Sequence, residues 1–313
     1  MLPDQMLHWQ VLMPTQRYRA AMSSDPVVVL EKYSFLEGPR WHEGRIWVSD
    51  FYTNQVVSAR ADGSDVRVEA EVATQPGGLG WLPDGRLLVV SMRDNRILRR
   101  EPDGTLVEHA DVSAHCGGHL NDMLVDDQGR AYAGNFGFDL MSGADPRTAN
   151  LVRADPDGTV TVVAQDLWFP NGMVRIGSTL VVNETMGNRI SAFDVAEDGS
   201  LGPRRDWAVF ADLPTGTDIA TVLSQTIVGP DGAAVDAEGG VWFADAFGQR
   251  AARVVDGEIV ARVDVGTGVY AVALGGEDGR TLFLCTAPSF AEHERRATRE
   301  AQLLAVTVEV PAP

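Results

Sequence analysis

The chain alternates short apolar runs with turns rich in Gly and Asp. In GPDGAAVDAEGGVWFAD, residues 229–245, a polar opening leads to an apolar run from Ala233 to Val235. A Gly-bearing turn, Asp236 to Gly240, separates it from a second run, Val241 to Ala244. Two such runs about a tight turn predict a β-hairpin. The pattern occurs six times: EGPRWHEGRIWVSD (37–50), GGLGWLPDGRLLVVS (77–91), NDMLVDDQGRAYAGN (121–135), NGMVRIGSTLVVNE (171–184), DGAAVDAEGGVWFAD (231–245) and YAVALGGEDGRTLFLCT (270–286). Their turn glycines are Gly44, Gly85, Gly129, Gly177, Gly239 and Gly279.

Between these units lie second turn signals, at Asp62-Gly63, Asp103-Gly104, Asp157-Gly158, Asp198-Gly199 and Asp256-Gly257, flanked by strand-like runs such as Gln55 to Ala59. Each period of roughly 40–60 residues therefore holds about four short strands, which is one propeller blade. The predicted fold is an all-β, six-bladed β-propeller with four-stranded blades. A solenoid would show no second hairpin per period. The end strands, Val27 to Glu31 and Leu303 to Val310, are expected to share the last blade and so close the ring without a free edge. Residues 1–25 do not follow the pattern and form an N-terminal extension, and 26–313 form the propeller domain. Leu7, Trp9, Val11, Leu12 and Met13 could make a short amphipathic segment, limited by Pro3 and Pro14. A tether accounts for this extension; a strap over the domain or a homodimer contact is its functional alternative. Insertions are expected at Gly137 to Asn150, at Gly216 to Val228, and at Ser289 to Glu300, whose composition suits a short charged helix.

The formal charge is -18, from 26 Lys plus Arg against 44 Asp plus Glu. That balance repels nucleic acid and anionic membrane surfaces, and argues against either as a partner. Cys116 and Cys285 are the only cysteines, too few for a disulfide framework. No secretory pattern opens the chain and no apolar run nears the ~20 residues of a membrane helix, so a soluble, cytoplasmic protein is expected.

Aligning the six predicted innermost strands puts Glu37, Gly77, Asn121, Asn171, Asp231 and Tyr270 at one register. In a propeller that register faces the central channel at one height. Asn or Asp before Gly commonly just builds a turn, but turn chemistry does not explain a Glu at the same place. Two carboxylates and two amides converging on one axis suit a hard divalent cation, which offsets their mutual repulsion. The expected cofactor is one divalent metal ion, Ca²⁺, Mg²⁺, Mn²⁺ or Zn²⁺, with Ca²⁺ first.

These residues resemble the family of gluconolactonases, regucalcin (senescence marker protein) and luciferin-regenerating enzyme, six-bladed propellers with one axial divalent metal. The resemblance covers about residues 30–310 and is carried by LEGPRW with Glu37, LNDMLVDDQGRAYAGN with Asn121 and Asp122, FPNGM with Asn171, and GPDGAAVDAEGGVWFAD with Asp231. It implies Glu37, Asn171 and Asp231 as metal ligands, with Asn121 completing the shell or touching substrate. It also implies Asp231 as general base and hydrolysis of a small-molecule lactone or ester as the reaction.

One departure concerns the substrate. Members of this family often carry an Arg two residues before the Asn of blade three, where this chain has His119. Loops expected at the same mouth carry Phe51, Tyr52, Met92, Arg93, Phe136, Phe138, Met186 and Phe247, and Trp168 precedes Asn171. The expected substrate contacts are His119, Asp122, Arg93, Phe136, Phe138, Trp168, Met186 and Tyr270, which favour a lactone with apolar parts over a sugar lactone. His115, Cys116 and His119 lack the separated second ligand pair of a zinc site. Two alternatives share the site: phosphotriester hydrolysis with direct attack by Asp231, and a non-catalytic small-molecule-binding propeller with a structural metal.

Overall fold

Each period of the sequence forms one antiparallel sheet, and six sheets stand around a central channel. The structure, a computed structural model, describes residues 19–20 and 25–313. Blade one runs outward through Leu36–His42, Arg45–Asp50, Gln55–Ala59 and Arg67–Glu71. Blades two to five repeat this order, beginning with Pro76–Trp81, Leu120–Val125, Pro170–Ile176 and Pro230–Val235 at the channel. The hairpin glycines Gly44, Gly85, Gly129, Gly177, Gly239 and Gly279 all have φ between 59° and 84°, where glycine avoids the cost borne by other residues.

Blade six combines both ends of the chain. Gly268–Gly275, Thr281–Ala287 and Ala301–Thr307 are completed by Val27–Tyr33, with Val27 opposite Ala305 and Val28 opposite Leu304. The expected sharing of the last blade is therefore present, but Val27–Tyr33 is its outermost strand, so the blade keeps an outer edge, as the others do. Blade five carries one strand more than its relatives, because Arg19–Ala20 pairs in parallel with Ala261 and Arg262. The segment Leu7 to Met13, expected to be amphipathic, lies outside the described residues.

The innermost strands share a second irregularity. In blade four Pro170 pairs with Glu184 but Met173 with Val182, so one extra residue is accommodated. The same slip occurs between Leu120 and Met123, Pro230 and Ala233, and Pro76 and Leu79, and it falls next to Glu37 and Tyr270 in blades one and six. Such a bulge bends a strand and re-aims its side chains. Here it sits where the six strands come closest. A Cβ on Gly172 would lie 2.5 Å from Ala233 N and Asp231 O, and one on Gly232 2.5 Å from the Cβ of Ala271.

Apolar side chains fill the spaces between blades. Val174, Val181 and Ile190 of blade four meet Val241, Phe243 and Val254 of blade five, and Trp41 stacks on Phe283 across blades one and six at 5.7 Å. The insertion at Gly216 to Val228 differs from the expected loop by containing helix α1, Ile219–Gln225. Asp218 caps it by accepting from Thr221 N, and Val222 anchors it in the core. The last insertion forms helix α2, Glu292–Arg295. Among the described residues no helix is long and apolar enough to cross a membrane.

Substituting Gly172→Ala forces backbone of blade four against backbone of blade five. The expected loss is about 1–3 kcal/mol in urea unfolding, whereas Gly44→Ala, with no atom within 4 Å of its Cβ, costs only the strain of its positive φ. Equal losses for the two would show that the inner strands have slack.

Candidate functional site

The bulges bring the first residues of the innermost strands to the mouth of the channel. Asn121, Asn171 and Asp231 are buried there and Glu37 is half-buried. Asn171 Nδ2 donates to Asp231 Oδ1 and to Thr185 Oγ1, the latter at 3.1 Å. Thr185 Oγ1 uses its own proton on the carbonyl of Pro230 at 2.8 Å, so it can only accept from Asn171. That network fixes the amide orientation and leaves Asn171 Oδ1 without a described partner. Asn183 Nδ2 donates to the carbonyl of Asp231 and holds its backbone. Asn121 makes no side-chain hydrogen bond to another described residue.

The electrostatics of this cluster are unusual. Burial pushes Glu37 up from 4.5 to about 8; the amide of Gly38 opposes the rise, Asp122 adds to it, and Arg40 opposes it. Burial raises Asp231 well above the usual range as well, reinforced by Glu37 and then Asp122. Neither carboxylate forms an ion pair with a Lys or Arg among the described residues. The nearby cation, Arg40, is instead bound to Asp122 at 2.6 Å and to the carbonyl of Met123 at 2.8 Å. Among the described residues no three His, Cys, Asp or Glu side chains gather in metal-holding geometry. The donors gathered here, two carboxylates and two amide oxygens, are of the kind that fit a hard ion.

A set of residues not singled out in the sequence fixes the loops that lead into the mouth. Each is the polar residue ending a second strand. Asp50 accepts from Ser34 N at 3.1 Å and Phe35 N at 2.9 Å. Glu184 accepts from Trp168 N at 2.7 Å, and Asp245 from Gly229 N at 3.1 Å. Asn135 Oδ1 takes the amides of Gly117 and Gly137. Arg189 neutralises Glu184 and Arg250 neutralises Asp245, both in buried pairs. The signal was present as a polar residue closing the apolar runs WVSD, YAGN, VVNE and WFAD.

The expected substrate contacts fall into groups. Phe136, Phe138, Met186 and Tyr270 are buried, and Trp168 is half-buried. Phe136 stacks on Phe169 at 4.4 Å and meets His119 at 5.6 Å. His119 is half-buried, and burial and then Arg93 lower its pKa, which favours the neutral ring. Tyr270 packs on Phe35 at 4.8 Å, and its hydroxyl has no partner among the described residues. Two others are engaged: Asp122 with Arg40, and Arg93 with Glu292 of α2 at 2.7 Å and Gln75 Oε1 at 3.0 Å. With Tyr52 Oη donating to Phe290 O at 2.9 Å, these contacts draw the α2 insertion across blades one and two. Burial lifts the Cys116 thiol to about 12, opposite to the requirement for a reactive thiolate.

The family described as SMP-30/Gluconolactonase/LRE-like region matches residues 35–288. A pentonolactonase, XacC of Haloferax volcanii, is 30% identical over 260 residues, covering 80% of this chain and 81% of that protein. Among solved structures, a luciferin-regenerating enzyme superposes with a TM-score of 0.75 at 19% identity, over 92% of this chain and 98% of that one. A regucalcin of Agrobacterium tumefaciens, described as calcium-binding, gives 0.72 at 19% identity over 95% and 96%. The chain belongs to the SMP-30/gluconolactonase/LRE-like family.

Because the folded state raises Glu37 from 4.5 to about 8, its stability contribution is intact below about pH 4.5 and is lost as pH rises through about 8. In chelator-treated protein, Glu37→Gln is expected to raise the melting temperature at pH 8 by a few °C and to change it little at pH 4. A lower melting temperature at pH 8 would contradict the placement of this carboxyl.

Proposed function

Taking that membership as premise, we propose that the protein is a hydrolase that opens a lactone or related small ester at the mouth of the channel, with one divalent cation, Ca²⁺ first. Glu37, Asn171 and Asp231 would hold the cation, and Asn121 would complete the shell or contact substrate. The observation that carries this reading is a pair of desolvated carboxylates, Glu37 and Asp231, with no ion pair to a Lys or Arg among the described residues, beside an amide oriented to present its oxygen. When bound, such a cation supplies Lewis acidity to a carbonyl oxygen and lowers the pKa of nearby water.

The rest of the chemistry belongs to the chain. Asp231 takes a proton from the water that adds to the carbonyl carbon, and the bond from that carbon to the ring oxygen breaks. The same proton then passes to the departing alkoxide, so Asp231 ends as it began. Asn171 holds that carboxyl, and Asn183 holds the backbone carbonyl of the same residue. Tyr270, whose hydroxyl has no partner among the described residues, and His119, whose pKa burial lowers, would contact substrate oxygens. Phe136, Phe138, Trp168 and Met186 supply apolar walls that exclude water. This composition favours hydrophobic lactones, although the relative covering most of the chain is named for pentonolactone.

Two outcomes are expected. Asp231→Asn should lower kcat by at least about 100-fold with the fold retained by circular dichroism; turnover near wild type would remove Asp231 from the reaction. On a panel of lactones, kcat/KM should be higher for alkyl-substituted γ- and δ-lactones than for gluconolactone, and fall to background with chelator. A preference for gluconolactone would show that the apolar walls do not set specificity.

A further inference from the structure

Five of the six blades carry a residue with no larger side chain than a methyl just after the register position: Gly38, Gly78, Gly172, Gly232 and Ala271. Blade three carries Asp122 instead. Its carboxylate lies over Gly78, where a Cβ on that glycine would collide with Oδ1. Arg40, from blade one, crosses the same gap to reach Asp122 Oδ1 at 2.6 Å and Met123 O at 2.8 Å. Arg40 Nη1 is held by the carbonyl of Pro39 at 2.9 Å, and Met123 N donates to Asp122 Oδ1 at 2.9 Å. Gly77 and Gly78 leave blade two without side chains at this level, so blades one and three are joined past it. The pair is largely buried, with side-chain exposures of 21% and 8%.

Three carboxylates, Glu37, Asp122 and Asp231, therefore share the channel mouth with one guanidinium. Ionised, they leave a net charge equal and opposite to a single divalent cation. Asp122 has the chemistry of a metal ligand and stands beside Asn121, but its charge is already matched by Arg40.

We propose that Arg40 is a positioning residue that sets the composition of the axial cation site. By binding Asp122 it withholds a third carboxylate, so the cation is left to Glu37 and Asp231 and keeps a weaker, more exchangeable shell. Affinity of oxygen-ligand sites rises with the number of carboxylates, and a surplus of them blunts Lewis acidity. Arg40 thus trades affinity for reactivity. The inference rests on the cation reading above, and the two can fail separately.

The test is calcium affinity, measured on the full chain at fixed ionic strength by competition with a chromophoric chelator, so that activity is not needed. Arg40→Met frees Asp122 and should tighten calcium binding about tenfold or more. Asp122→Asn leaves Arg40 unmatched and should weaken it by a similar factor. The double variant restores the wild-type charge and should return to within about threefold of wild type. A pair that merely braces the blades gives weaker binding in both single variants and no recovery in the double, which would overturn the proposal. If Arg40→Met does not fold, Arg40→Gln, which keeps a hydrogen-bond donor towards Asp122 but removes the charge, decides: tighter binding than wild type is expected, and unchanged or weaker binding overturns it. Absence of calcium, magnesium and manganese binding by wild type would instead sink the cation reading, and with it this inference.

Discussion

The molecule is organised by the close approach of six β-strands around one axis. Just after the register residue, five of the six blades carry no side chain larger than a methyl, and the close contacts facing Gly78, Gly172 and Gly232 show why. The bulge in each inner strand is how the chain meets that limit, since it bends the strand and turns one residue toward the channel. Every candidate ligand stands beside such a bulge. Packing at the axis and the geometry of the site are one constraint.

The second consequence is electrostatic. Residues turned into a narrow channel lose hydration, so burial raises the proton affinity of Glu37 and Asp231; Asp122 adds to the rise at Glu37, and Glu37 and then Asp122 add to it at Asp231. Elsewhere in the ring the chain answers buried acids with arginines, as at Glu184 with Arg189 and Asp245 with Arg250. At the mouth it does so for Asp122 alone. The contrast within one molecule separates carboxylates that secure loops from carboxylates left available. Rigid positioning comes from the first group, acting on backbone amides two or three residues ahead of the mouth.

The blades were legible in the sequence because a hairpin is a local object: its apolar alternation, turn glycine and length are read within about fifteen residues. The shared register of Glu37, Asn121, Asn171 and Asp231 was legible for the same reason, once the repeats were aligned. The loop-fixing residues Asp50, Asn135, Glu184 and Asp245 carried a signal but looked like ordinary strand ends. Helix α1 was read as a loop, because seven residues are too few to show helical periodicity and its cap becomes visible only with the backbone. Arg93 and Asp122 were read as free to meet a substrate, and only their partners reveal that both are engaged.

The sequence by itself determined the repeat, the number of blades, the closure through Val27 and Leu303, and which side chains share the axial register. The tertiary structure decided how those side chains are charged and held. Asn171 meets Asp231 across 60 residues, Arg40 meets Asp122 across 82, and Tyr52 meets Phe290 across 238. Such pairs follow from closure of the ring, which brings residues of different blades together at the channel, and that meeting is not written in any local run of residues. Periodicity is a property of the chain, whereas desolvation and charge pairing exist only once the ring has closed.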